Sequence, residues 1–266
     1  MRSKVMRVLV VPVLAVLALL LAQPAGAADG PSVVLWNHLN NRWSVQHSVV
    51  GADFQILGTP VFRAGVSGKA IGALDDESLL LMPSRQFFGA DKTQGTVSVY
   101  LQKKMVASVP GETPYAGIFG AQAYDFQDAW CQSAVKNPGS DSCTNYAVEA
   151  LWGDGLSGPA GLYVSVVDSA GTWHQAVDSA FNTRAVPVGV WVHAQFVWDI
   201  RGINGTRDTI RIYRDGKVVA RYSQPIANVR WLPTPVAVAG MHAANRLNRP
   251  ALLVDELQVF DRAVTP

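Results

Sequence analysis

The sequence predicts an all-β fold, a sandwich or a barrel, standing behind a removable leader. Three observations carry this expectation. Helical periodicity is nearly absent, short β-branched and aromatic runs follow one another along the chain, and turn clusters separate them at regular intervals. After the leader, no stretch keeps apolar residues at i, i+3, i+4 and i+7 for three turns between capping signals. The 266 residues are 49% apolar and only 16% charged, which excludes a disordered or acidic-tail protein. Lys and Arg number 22 against 20 Asp and Glu, a net charge of +2. That balance excludes a basic footprint, so no nucleic-acid partner is expected. Gly 23 and Pro 15 are too few for a collagen-like or low-complexity chain. A chain of this length can bury a sizeable core.

The leader comes first. Arg2, Lys4 and Arg7 precede an apolar run from Val8 to Ala22, and Gln23-Pro24-Ala25-Gly26-Ala27 follows. A charged start, an apolar run and small residues at an A-x-A site form a secretory signal peptide over 1–27. The run is about 15 residues, short of the roughly 20 that span a bilayer. The mature chain, 28–266, is therefore expected to have no membrane span and to be secreted, periplasmic or extracellular. Cleavage takes three basic residues, leaving 19 against 20 acids, a net of −1. Export also makes the cysteines readable. Cys131 and Cys143 are the only pair, and an oxidising compartment predicts one disulfide between them. On a loop-entropy model it would contribute roughly 3 kcal/mol.

Strands are predicted near 33–36, 53–57, 70–74, 78–82, 96–103, 115–119, 145–152, 161–167 and 172–177. Others are predicted near 190–199, 209–214, 217–222, 236–239 and 251–260. Gly58-Thr59-Pro60, Asp75-Asp76-Glu77, Pro110-Gly111, Gly153-Asp154-Gly155, Ser169-Ala170-Gly171 and Leu232-Pro233-Thr234-Pro235 mark turns between them. The clearest local signal is Asp215-Gly216 between alternating runs, a type I′ hairpin in which both central residues need φ > 0. It would pair Arg214 with Lys217, Tyr213 with Val218, and Ile212 with Val219. The like charges of Arg214 and Lys217 cost a little unless a carboxylate is near. Upstream, Trp191, His193 and Gln195 share one strand face, and Val192, Ala194, Phe196 and Trp198 share the other. No linker or charge run divides the mature chain.

Four segments, taken in order, resemble the laminin-G-like branch of the concanavalin A-like lectin/glucanase superfamily. Gly68-Lys69-Ala70, with Asp75 and the run to Pro83, resembles an early GKAL…D…Y…IP strand pair. Val188-Gly189-Val190-Trp191-Val192-His193-Ala194 resembles the G-x-W-x-H-V-A strand. Asp215-Gly216-Lys217 resembles the Y-x-D-G-K turn. Leu253-Val254-Asp255-Glu256-Leu257-Gln258-Val259-Phe260-Asp261-Arg262-Ala263 resembles the closing I-D-E-V-R-I-Y-N-R-A. The resemblance spans about 33 to 264. It implies a two-sheet antiparallel jelly-roll sandwich over 28–266 and a carbohydrate- or protein-binding role, with glycosidases and polysaccharide lyases among the relatives. Trp36-Asn37-His38-Leu39 departs from the family by lacking an acid where an aromatic-aspartate motif often stands. The same resemblance implies a possible calcium ion held by Asp255 with Asn37 or backbone carbonyls, or by Asp75 and Asp76.

Catalytic patterns are sparse. Glycoside hydrolysis needs two carboxylates about 5–9.5 Å apart, at i and i+2 or i+4 on a strand. Glu149 is the only mid-strand acid and has no such partner. Asp255 and Glu256 are adjacent and so point to opposite sides, and Asp75-Asp76-Glu77 lies in a turn. These acids are expected to be solvated turn or edge residues. His38, His47, His174, His193 and His242 form no zinc pair, and His193 reads as a packed, hydrogen-bonded structural histidine. A lyase could use Tyr146 or Tyr163 with His174. Neither a G-x-S-x-G elbow nor a Gly-rich phosphate loop is present.

Sugar binding instead uses aromatic faces beside orienting polar groups, and eight Trp is rich for this length. Trp191 and Trp198 are expected in the core. Trp130, Trp152 and Trp173, at strand ends beside polar residues, are the ligand-stacking candidates. A glycosylation sequon, Asn204-Gly205-Thr206, matters only in a eukaryotic secretory pathway. The expected function is non-catalytic binding of a glycan or polysaccharide. The alternatives are a lyase or hydrolase on the same fold, and an envelope adhesion or structural protein with protein partners.

Overall fold

The computed structural model describes residues 32–72, 79–89, 92–104, 116–121, 148–154, 160–229, 235–239 and 251–266. The leader 1–27, the Cys131–Cys143 pair, Asp75, Asp76, Trp130, Tyr146 and His242 lie outside them. In order come β1 (Val33–Asn37), a short helix α1 (Arg42–Val45), β2 (Gln55–Leu57), β3 (Val61–Ala64), β4 (Lys69–Gly72) and β5 (Leu79–Pro83). Then follow α2 (Ser84–Phe88), β6 (Gln94–Lys103), β7 (Ala116–Ala121), β8 (Val148–Asp154), β9 (Ala160–Val167) and β10 (Trp173–Asp178). β11 (Trp191–Asp199), β12 (Ile210–Arg214), β13 (Lys217–Tyr222), β14 (Pro235–Val238) and β15 (Leu252–Phe260) complete the set. Among the described residues, no helix is long and apolar enough to cross a membrane.

The strands form two antiparallel sheets. One runs β13-β12-β11-β6-β15-β4-β3, with β1 also paired to β15; the other runs β10-β9-β8-β7-β14-β5-β2. The predicted sandwich is therefore present. β3 was not expected, because four residues are too few to show alternation. α1 also falls outside the β expectation. It forms because Asn41 caps it, its side chain accepting from Ser44 N while Ser44 Oγ accepts from Asn41 N.

The core lies between the sheets, where alternating strand residues of each meet. From the seven-stranded sheet come Val148, Ala150, Trp152, Val164 and Val166; from the eight-stranded sheet come Val97, Val99, Phe196, Trp198 and Ile212. Phe88 packs edge-on against Trp198 at 5.8 Å, and Phe119 against Phe196 at 5.7 Å. Such aromatic pairs contribute about 0.5–1.5 kcal/mol beyond their buried area. Trp198 Nε1 donates to the carbonyl of Lys92 at 2.9 Å, so burying the indole leaves no polar atom without a partner. Trp191, expected in the core, is half-buried on the opposite face of β11. The same strand parity that buries Val192 and Trp198 turns Trp191 outward with His193.

The β12–β13 hairpin forms at the predicted turn. Asp215 and Gly216 both have positive φ, 49° and 77°, as a type I′ turn requires. Arg214 pairs with Lys217 and Tyr213 with Val218, but Ile212 faces Ala220 rather than Val219. A bulge between Ile212 and Tyr213 adds one residue to β13 and shifts the register. The Arg214–Lys217 repulsion is offset by an ion pair between Arg214 and the buried Asp178.

Gly95 of β6 lies under the Trp198 indole, where a Cβ would meet the ring. Gly95→Ala is therefore expected to lower unfolding free energy by about 1–3 kcal/mol through overpacking. Urea denaturation measures this, and an unchanged midpoint would contradict the packing described.

Candidate functional site

The second face of the seven-stranded sheet carries the chemistry. One cross-strand row reads Ala237 (β14), Gly120 (β7), Glu149 (β8), Ser165 (β9) and Gln175 (β10). The side chains of Ala237, Glu149, Ser165 and Gln175 point away from the main core, because their strand neighbours Val236, Val238, Val148, Ala150, Val164, Val166 and Ala176 point into it. Leu151, Tyr163, Val167 and Ala237 form a separate apolar cluster on this second face, with Leu81 and Val177 packed against it. At the β10 edge the face opens. Gln175 and Val177 are half-buried, and Trp173, paired with Val167 and two residues from Gln175, is 41% exposed.

A polar chain runs inward from this edge. Gln175 Nε2 donates to Ser165 Oγ at 3.0 Å, and Ser165 hydrogen-bonds the carboxyl of Glu149. Glu149 is only 3% exposed, and its Oε2 has no hydrogen-bond partner among the described residues. Burial pushes its pKa from 4.5 up to about 8, against a smaller lowering by Ser165. The carboxyl is thus neutral at pH 7. The expectation of a solvated edge acid is corrected here. Alternation assigns Glu149 to the face away from the core, and that face is itself buried at β8.

Of the proposed stacking residues, Trp173 presents its ring to solvent and Trp152 does not. Trp152 is fully buried, donates through Nε1 to Asn182 Oδ1, and meets Phe181 edge-on at 6.0 Å. Its parity with Val148 and Ala150 sends it into the core, so it offers no face to a ligand. Trp43 was missed. It is 68% exposed, with one face stacked on His47 at 4.4 Å and 12°. The signal available was W-x-x-x-H, a spacing that one helical turn brings together.

The proposed Tyr163–His174 pair is not assembled. Tyr163 faces outward on β9, whereas His174 packs on the other side, hydrogen-bonded to Asp168 at 3.0 Å and to Tyr222 OH at 2.8 Å. The His174 hydrogen bond is the leading cause that holds the Asp168 pKa below its ordinary value. His193 is packed as expected, with Nε2 2.7 Å from Ser98 Oγ and its ring tilted against Tyr100. Burial lowers its pKa, and the nearby Asp215 carboxylate opposes that shift.

Of the residues proposed for calcium, the described ones, Asn37 and Asp255, are already occupied. Asn37 Nδ2 donates to Ser44 O, Val45 O and Ser48 Oγ, while its Oδ1 accepts from Leu39 N. Asp255 Oδ2 accepts from Val66 N and Ser67 N, and Oδ1 from Glu256 N. Burial is the main cause that lifts the Asp255 pKa to about 6. Backbone donors aimed at both oxygens repel a cation, so these two residues do not fit a calcium ion. Asp255 is also buried rather than solvated, and it ties the β3–β4 turn to β15. A bulge in β15, with Glu256 at φ 51°, turns Glu256 to His38 Nδ1 at 2.8 Å and to Trp36 Nε1. Among the described residues, no group of three or more His, Cys, Asp or Glu could hold a metal.

A sandwich of two antiparallel sheets is an architecture that lectin domains share with many other proteins. A laminin-G family model matches residues 125–266, just over half of the chain. The chain belongs to the concanavalin A-like lectin/glucanases superfamily. No curated protein matches it. Among solved structures it is similar to domain 4 of an extracellular GH43 arabinanase from Geobacillus stearothermophilus, solved with arabinotriose. The two are 16% identical with a TM-score of 0.53, over 90% of this chain and 96% of that one. It is also similar to the botulinum neurotoxin serotype D ligand-binding domain, solved with N-acetylneuraminic acid. There the identity is 9% and the TM-score 0.58, over 88% of this chain and 48% of that one. Trypanosoma rangeli sialidase matches at 10% identity and a TM-score of 0.50, over 88% of this chain and 31% of that one. These likenesses establish the fold.

The raised Glu149 pKa has a defined sign. The folded state keeps a proton that the unfolded chain releases above pH 4.5. The resulting stability is complete below pH 4.5 and is lost as pH rises through about 8. The loss is about 1.4 kcal/mol for each pH unit between those values. Unfolding free energy is expected to fall between pH 5 and 8 in the native protein and to flatten in Glu149→Gln. Equal slopes in the two proteins would contradict the burial of a protonated carboxyl.

Proposed function

We propose that this protein is an exported, non-catalytic carbohydrate-binding module that works outside the cell or in the envelope. The supporting observation is the partly exposed Trp173 on the same sheet face as the half-buried amide of Gln175. A flat ring stacks on the C–H face of a sugar, and neighbouring amide and hydroxyl groups fix its orientation. The leader sequence supports export, which would place Cys131 and Cys143 where a disulfide forms. The arabinotriose bound by the arabinanase domain and the N-acetylneuraminic acid bound by the toxin domain make these two sugars the first probes.

One observation favours a second reading, a hydrolase or lyase. A carboxyl kept protonated at neutral pH is a general acid in waiting. Hydrolysis also needs a second carboxylate within about 9.5 Å, and among the described residues the row Ala237, Gly120, Ser165 and Gln175 around Glu149 holds none. The non-catalytic reading is therefore preferred.

A glycan array followed by calorimetry tests both readings. Trp173→Ala is expected to weaken glycan binding about tenfold or more, near 1.4 kcal/mol, with unfolding unchanged. Trp43→Ala is expected to change it less, since Trp43 lies on α1 and not on the β10 edge beside Gln175. Absence of binding to every glycan would overturn the proposal. So would release of reducing ends from a polysaccharide that stops in Glu149→Gln.

A further inference from the structure

A cavity lies apart from the Trp173 face and shares no residue with it. It is a cleft of about 380 Å³ lined by Lys103, Thr183, Arg184, Val186, Pro187 and Val188. That volume suits a small molecule. Lys103 closes β6 and is 2% exposed. Its Nζ donates to Phe181 O at 2.6 Å and Thr183 O at 3.1 Å, and sits 5.6 Å from the centre of the Phe181 ring. An ammonium has three N–H donors, so among the described residues two carbonyls leave one unused.

No carboxylate neutralises this ammonium among the described residues. Asp178, at the start of the same turn, is engaged by Arg214 and by Ala180 N. Burial lowers the Lys103 pKa, and the positive charge of Arg214 lowers it further. A buried cation without a counter-ion is costly, and an incoming anion would remove that cost. At the rim, Arg184 is exposed and makes no hydrogen bond or ion pair with another described residue. Val186, Pro187 and Val188 supply an apolar wall. The loop that carries them is fixed to β6, with Gly189 N donating to Lys103 O at 2.9 Å and Gln102 Nε2 donating to Gly189 O at 2.8 Å.

We propose that this cleft binds a small monocarboxylate, its carboxylate between Lys103 and Arg184 and its body against Val186, Pro187 and Val188. Two sources share that chemistry, a uronic acid residue of a glycan and a free short-chain or aromatic acid. The proposal stands independently of the Trp173 site.

Calorimetric titration with galacturonate, hexanoate and benzoate tests it, with galactose and methyl galacturonate ester as uncharged controls. At least one acid is expected to bind and the uncharged controls not to. Arg184→Glu, on an exposed side chain, is expected to weaken that binding about tenfold or more. Trp173→Ala is expected to leave it unchanged. Binding by galacturonate alone identifies a glycan source, and binding by hexanoate or benzoate alone identifies a free acid. Equal binding of ester and acid, no binding of any acid, or an unchanged Kd in Arg184→Glu would each overturn the proposal.

Discussion

Phe88, Phe119, Phe196 and Trp198 meet edge to face between the two sheets, and both sheets keep the register that holds them there. Each strand that contributes to this layer has committed one of its two sides. Function is left with the other side and with the sandwich edges. That single constraint sends Trp152 inward and Trp173 outward on strands of the same sheet. It also turns His193 away from the core and places Glu149 in line with Ser165 and Gln175. An aromatic layer of this kind tolerates little variation in thickness, because interiors pack as densely as organic crystals. Gly95 beneath the indole shows how closely β6 and β11 are matched.

Most of the fold was legible because strand signals are local. The Asp215-Gly216 turn needs only two residues with φ > 0, and the chain supplies residues that accept it. The bulge that moves Ile212 onto Ala220 was not legible, since an extra residue in β13 leaves the alternation of its neighbours looking normal. Parity also fixes the placement of the indoles. Trp152 shares parity with Val148 and Ala150, Trp173 with Gln175, and Trp191 with His193, so the inward or outward placement of each indole was already written in its strand. Whether an outward side meets water is a different question. For Glu149 it does not, and no pattern within β8 reveals this, because what lies over a sheet face is set by distant segments of chain.

The carboxylates illustrate how a fold reuses residue types. Asp255 resembles a family position associated with calcium, yet here its oxygens receive backbone N–H groups from the β3–β4 turn. A neighbouring amide does for this chain what an ion would do elsewhere, fastening a peripheral hairpin to the central sheet. Glu256, one residue on, serves the opposite end of the same junction through His38 and Trp36. Lys103 and Glu149 form a contrasting pair. One is a buried cation without a counter-ion among the described residues and the other a buried acid that keeps its proton, and they lie on different sheets.

The position of β15 has a consequence for how the chain reaches its native state. This strand lies between β6 and β4 and also pairs with β1, so three segments from the first hundred or so residues share a neighbour made of residues 252–260. A polypeptide that emerges N-terminus first must leave the β15-facing edge of each of those segments unpaired until that neighbour arrives. Contacts so distant in sequence close late and make folding slow. The long-lived precursor exposes strand edges that can pair with other chains. Until its last strand arrives, the eight-stranded sheet stays open between β6 and β4.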